Sequence, residues 1–206
     1  MVSQLPSRCV RFSGARADMV GVMSFLPLDE FPALFPHVVA WVYNLETQAR
    51  ESGRSLAPFE SNLAQNVGVA HPGEVRILLI PTIPLPAHPR VKQLARQVVL
   101  LNADTGGLTA VYGVIVRLDC AQLLAHEFVH VAQYERLGRE GFLEEYIRQI
   151  AEHGYQNAPF ELEADTKADK ACRDAKIAPL VASPVKERAL NDGRKRRFWP
   201  NISKKL

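Results

Sequence analysis

Apolar residues along this chain recur mostly at helical spacing, and the pattern predicts five helices and two strands. Between Asp29 and Ser52, Phe31, Leu34, Phe35, Val38, Val39, Val42, Leu45 and Ala49 trace one helical face. Pro32 suits a first turn, but Pro36 would strain the helix. Its proper start is therefore expected near Pro36 or His37, and Gly53 suits its end. Residues 54–74 show little period and read as a loop with room for a short helix. Val75 to Ile80 is a run of mostly branched aliphatics closed by Pro81, which reads as a strand. After Pro89, the spacing of Val91, Leu94, Ala95, Val98 and Leu101 predicts a second helix. Turn residues fill 102–107, and Thr109 to Arg117 reads as a second strand. Gly113 inside that strand marks a bulge or a close backbone approach.

The next helix is expected over 119–137. Asp119 is placed to cap it, Gln122 to reach back, and Gly138 to take the C′ position. Further helices follow at about 140–153, ended by Gly154, and at about 159–176, opened by Pro159. The fold class is α+β: a small domain, mainly helical, with a small sheet beside the helix at 119–137.

That helix carries an anomaly. Leu123 to Ala132 is an apolar run interrupted only by His126, Glu127 and His130. A buried polar group without a partner costs about 2–7 kcal/mol, so something must satisfy all three. His126 and His130 are i and i+4 and project from one face. Two imidazoles so placed can grip one Zn²⁺. Glu127 lies about 100° round the helix, beside the metal, where it can take a proton from metal-bound water. This is the H-E-x-x-H pattern.

A catalytic zinc needs three protein ligands and an open position. The last helix reads Pro159-Phe160-Glu161-Leu162-Glu163-Ala164-Asp165. Glu161 and Asp165 share a face, so one carboxylate can bind metal and the other can orient a ligand imidazole. Glu163, on the far side, is the runner-up ligand. Ala164, Ala168 and Ala171 allow close helix approach. His37 and His88 read as ordinary solvated histidines.

The run from His126 to about Ala171 resembles the gluzincin class of zinc metallopeptidases, in particular bacterial gluzincin-like domains of uncharacterised function. The resemblance covers roughly a quarter of the chain. It implies one Zn²⁺ per chain on His126, His130 and Glu161. Glu127 is then the catalytic general base and acid, and Asp165 is bonded to a histidine, His126 in the first instance. It also implies an oxyanion-stabilising side chain, for which Tyr155, His153 and Tyr112 are candidates and Tyr155 is carried forward. Many gluzincins have Asn just before the ligand Glu. Phe160 stands there in this chain, leaving the partner of His130 open. The expected function is hydrolysis of a peptide or protein substrate, held as an added strand along Thr109–Arg117.

Composition changes this picture little. The 206 residues are 47% hydrophobic and 23% charged, which suits one domain. The boundaries expected are an N-terminal arm at 1–24, the zincin-like domain at 25–183 and a basic tail at 184–206. The tail carries eight Lys or Arg and two Asp or Glu, a charge of +6 against a whole-chain +3. Clusters such as Arg194-Lys195-Arg196-Arg197 can bind nucleic acid or an anionic surface, although a solvated tail is the commoner use. A zinc-stabilised scaffold for partner binding, without catalysis, is the other alternative. Cys9, Cys120 and Cys172 are odd in number and widely spaced. That argues for a reducing, cytoplasmic setting and against a disulfide framework. No transmembrane segment and no signal peptide are expected.

Overall fold

The computed structural model describes residues 29–97 and 105–177. The arm at 1–24 and the tail at 184–206 lie outside them. The elements in order are α1 (Phe31–Ser52), β1 (Arg54–Ser55), α2 (Pro58–Val67), β2 (Arg76–Leu79), α3 (Pro89–Gln97), β3 (Gly107–Ala110), β4 (Gly113–Val116), α4 (Ala121–Leu137), α5 (Arg139–His153) and α6 (Pro159–Asp174). The class is α+β, as the periodicity predicts. Among the described residues no helix is long and apolar enough to cross a membrane.

The four strands form one mixed sheet in the order β1-β2-β4-β3. β2 and β4 pair in parallel at its centre, and β1 and β3 add antiparallel edges. The strand expected over 109–117 is instead a hairpin that starts earlier. Val111 and Tyr112 form its turn, with Val111 at φ 56°. A continuous β-rich run hides such a turn, because a branched residue is a poor signal for positive φ. Gly113 is where α1 crosses the sheet: a Cβ there would stand 2.8 Å from the Cβ of Ala49.

Helices cover both faces. One core lies between the sheet and α2, α4 and α6, built from residues such as Leu63, Val114, Leu124, Phe128 and Ala168. The other lies under α1, α3 and α5, with Leu45, Ile115, Tyr134 and Phe142. α4 serves both, which is why it is buried almost all round.

Three boundaries differ from expectation. α1 begins at Phe31, not at Pro36 or His37. Pro36 falls in the second turn, where few backbone bonds are lost, and burial of the Phe31–Phe35 pair (centroids 5.1 Å apart) offsets the strain. α2 is a full ten residues. Pro58 opens it, the Glu60 carboxylate accepts from the Ala57 N–H at 2.7 Å, and Gly68 closes it at φ 109°. α4 is capped by neither Asp119 nor Gln122: its N-cap is Cys120. Arg54 takes Asp119 at 2.9 Å, and Gln122 reaches Asp169 on α6 at 2.9 Å. Long-range partners outcompete the local cap. Cys120 is disulfide-bonded, which the wide cysteine spacing did not predict, and Cys172 is free.

Candidate metal centre

α4 presents His126 and His130 toward the start of α6, which brings Glu161 to them. The His126 and His130 Nε2 atoms are 3.1 Å apart. Glu161 Oε2 is 3.3 Å from His126 Nε2, and Oε1 is 3.3 Å from His130 Nε2. The two imidazole nitrogens thus face the two oxygens of one carboxylate, and one donor atom from each residue lies within 4.8 Å of the other two. A tetrahedral zinc with ligands about 2.0–2.1 Å away would hold its donors about 3.3–3.4 Å apart, so this set fits the ion. Among the described residues, His126, His130 and Glu161 are the one group of three whose donors converge in this way.

Each donor is aimed by a further side chain. His126 Nδ1 faces Asp165 Oδ1 at 3.1 Å, the partner expected from the shared face of α6. His130 Nδ1 faces Gln133 Oε1 at 2.8 Å. Gln133 is wholly buried, and its amide donates to the Phe160 carbonyl at 3.1 Å and to Glu163 at 3.0 Å. Those two acceptors fix the amide so that only its oxygen can face the imidazole. His130 must then carry its proton on Nδ1, leaving the Nε2 lone pair toward the other donors. Gln133 is the partner the sequence left open. The signal was present: a glutamine one turn past His130, inside a buried stripe.

Glu161 accepts from the Tyr146 hydroxyl at 2.6 Å and also bonds Tyr155. Of the three oxyanion candidates, only Tyr155 lines the cavity at the site. His153 lies beside Glu152 on the exposed end of α5, and Tyr112 bonds Glu135. Tyr146 was not foreseen. Glu163 is turned away, paired with Arg136 and Lys167, and is not part of the cluster.

Glu127 sits against the edge strand. Its Oε2 accepts from Thr109 Oγ1 at 2.8 Å, and that hydroxyl also lies 3.0 Å from the Glu127 carbonyl. A Cβ on Gly107 would stand 2.6 Å from Oε1, so the carboxylate occupies the space a side chain would take. Gly107 reads as turn chemistry in the sequence, yet its role is to admit this carboxylate.

The electrostatics follow from burial against pairing. Burial pushes the Glu127 carboxyl up, against the pull of the two imidazoles. Burial alone would lower His126, but its hydrogen bonds to Asp165 and Glu161 outweigh that and raise it to about 10. Glu161 is the converse: burial opposes its charge, and His130 and His126 hold it well below the usual carboxylate range.

The donors open on a cavity of about 140 Å³ whose far walls come from α1, α3 and α5. His37 and His88 stack on each other at 4.1 Å on the α1–α3 side and take no part in the cluster. No family model, no curated protein and no solved structure matches this chain.

Proposed function

We propose that this chain is a zinc-dependent hydrolase of peptide bonds, with His126, His130 and Glu161 as the metal ligands. The observation that carries the reading is the convergence of three aimed donors beside a buried, separately anchored carboxylate. Bound there, zinc would lower the pKa of a water ligand toward about 7 and polarise a carbonyl. Glu127 is the base. Thr109 ties up Oε2, so Oε1 is the oxygen left to accept the proton and to return it to the leaving amine. Its raised pKa brings it nearer the range in which a carboxylate both takes and gives a proton. Tyr155, on the cavity wall beside Glu161, would turn its hydroxyl from that carboxylate to the developing oxyanion.

The substrate strand runs along β3, not along 109–117, because β4 is already paired on both sides. Arg117 N donates to Gly106 O at 2.8 Å, which makes that facing pair hydrogen-bonded. Alternation along the ladder then turns the backbone groups of Gly107 and Thr109 away from β4. They are free for an extended peptide beside Glu127.

Elemental analysis of the purified protein and of Glu127→Gln tests this reading. Both are expected to hold one zinc per chain, with peptide cleavage lost in the variant. Zinc in neither protein overturns the metal site. Zinc in both with no cleavage by the wild type leaves the scaffold reading in its place.

A further inference from the structure

We infer that the cavity selects a peptide bearing a bulky uncharged side chain next to the scissile bond. This rests on the hydrolase reading above and names its substrate class. Among the described residues, the charged groups lining the cavity are His126, Glu127, His130 and Glu161, all gathered at one end. Beyond them the wall is apolar, with Phe31, Leu34 and Val38 from α1, Leu94 from α3, and Phe142 and Ile147 from α5. The polar side chains on this wall are neutral: the Tyr134 and Tyr155 hydroxyls, and two groups that are already engaged. Trp41 Nε1 donates to the Pro84 carbonyl at 3.0 Å, and the Tyr146 hydroxyl to Glu161 at 2.6 Å. A charged side chain entering there would lose its water and meet no opposite charge on this wall. A leucine or phenylalanine side chain would lose only apolar exposure.

The wall is also built in advance. Arg90, at the start of α3, grips Glu30, at the start of α1, through two bonds of 2.8 and 2.6 Å. The Trp41–Pro84 bond and the His37–His88 stack join α1 to the segment leading into α3. The two helices therefore form a fixed roof, and their two opposite charges cancel at its edge. The outward backbone groups of Gly107 and Thr109 lie at the other side of the same cavity, which is why the occupant is a peptide side chain and not a free hydrocarbon.

The test uses acetylated, amidated peptides that differ at one position (Leu, Phe, Asp or Lys). Their displacement of an environment-sensitive apolar dye is measured on full-length protein, with and without added zinc and in Glu127→Gln. The Leu and Phe peptides are expected to displace the dye at concentrations about 10-fold or more below the Asp and Lys peptides. Val38→Lys should reverse the order in favour of Asp, and Val38→Ala should keep it. Both variants are checked for an unchanged circular dichroism spectrum and melting temperature. Should Val38→Lys unfold, the order in Val38→Ala and wild type decides alone. Equal displacement by all four peptides, or a preference for Asp or Lys in the wild type, overturns the inference. Apolar preference without any hydrolysis leaves the side-chain selectivity of the cavity standing and removes the hydrolase reading with its scissile bond.

Discussion

Replacing Gln133 separates the aim of the site from its composition. Gln133→Leu keeps the volume but removes three hydrogen bonds. Glu163 retains Arg136 and Lys167, and the Phe160 carbonyl retains its place in the hydrogen-bond ladder of α6, so one buried group loses its partner: the His130 Nδ1–H. At about 1–3 kcal/mol for an orphaned buried group, the variant should lose about 1–3 kcal/mol of stability. That is a measurable part of the roughly 5–15 kcal/mol typical of a domain. Zinc affinity should fall about 10–100-fold, because His130 no longer has its tautomer fixed. Gln133→Glu is the control. It keeps an oxygen for His130 but loses the donor to Phe160 and meets the Glu163 carboxylate. It should be destabilised as Leu is, yet hold zinc better. Urea denaturation of the metal-free proteins gives the first quantity, and chelator competition the second. A Gln133→Leu protein within about 0.5 kcal/mol of wild type, with an unchanged zinc Kd, would refute the reasoning.

Three further outcomes follow from the same geometry. Glu161→Ala should abolish tight zinc binding while Glu163→Ala leaves it nearly intact, with Asp165→Ala about 10–100-fold weaker by chelator competition; the reverse order for the two glutamates would mean that Glu163 is the ligand. Gly107→Ala should keep zinc but reduce turnover by at least about 10-fold, since the new methyl displaces the Glu127 carboxylate; crystallography or activity assays at saturating zinc read this. In the metal-free protein His126, raised to about 10, keeps its proton through neutral pH. Its stabilisation is full below the ordinary imidazole value near 6.5 and is lost as pH rises toward 10. Zinc must displace that proton, so titration calorimetry at pH 7–8 in buffers of different ionisation enthalpy should show about one proton released, with affinity rising with pH.

The sequence reveals what short spacings encode. The i, i+4 pair His126 and His130, the flanking Glu127, and the Glu161–Asp165 face all follow from 3.6-residue periodicity, and the structure brings them together as that periodicity requires. What it hides are choices made over distance. Asp119 looks like a cap because nothing local says that Arg54 will claim it. Thr109 and Val111 look like one strand because the alternation does not break at the turn. Gln133 looks like a polar interruption until the Phe160 carbonyl and Glu163 arrive from α6 to set its orientation. Gly107 looks like a loop residue until the Glu127 carboxylate fills its place. Pro58, Glu60 and Gly68 did mark α2, and their spacing is as informative as that of the better recognised helices.

The buried alanines of α6 have a consequence for metal choice. Ala164 and Ala168 sit fully or almost fully buried in the core shared with α4. Glu161 rides on the same helix, one turn before Ala164, so the distance from its carboxylate to the two imidazoles is a spacing between helix axes, gauged by methyl groups. The bite of the site is thereby a steric dimension, adjustable without touching a ligand. A larger residue at Ala164 would push the axes apart and move the Glu161 carboxylate away from the two imidazoles. Such a site would suit a cation with longer bonds, and its preference would shift away from zinc through packing alone.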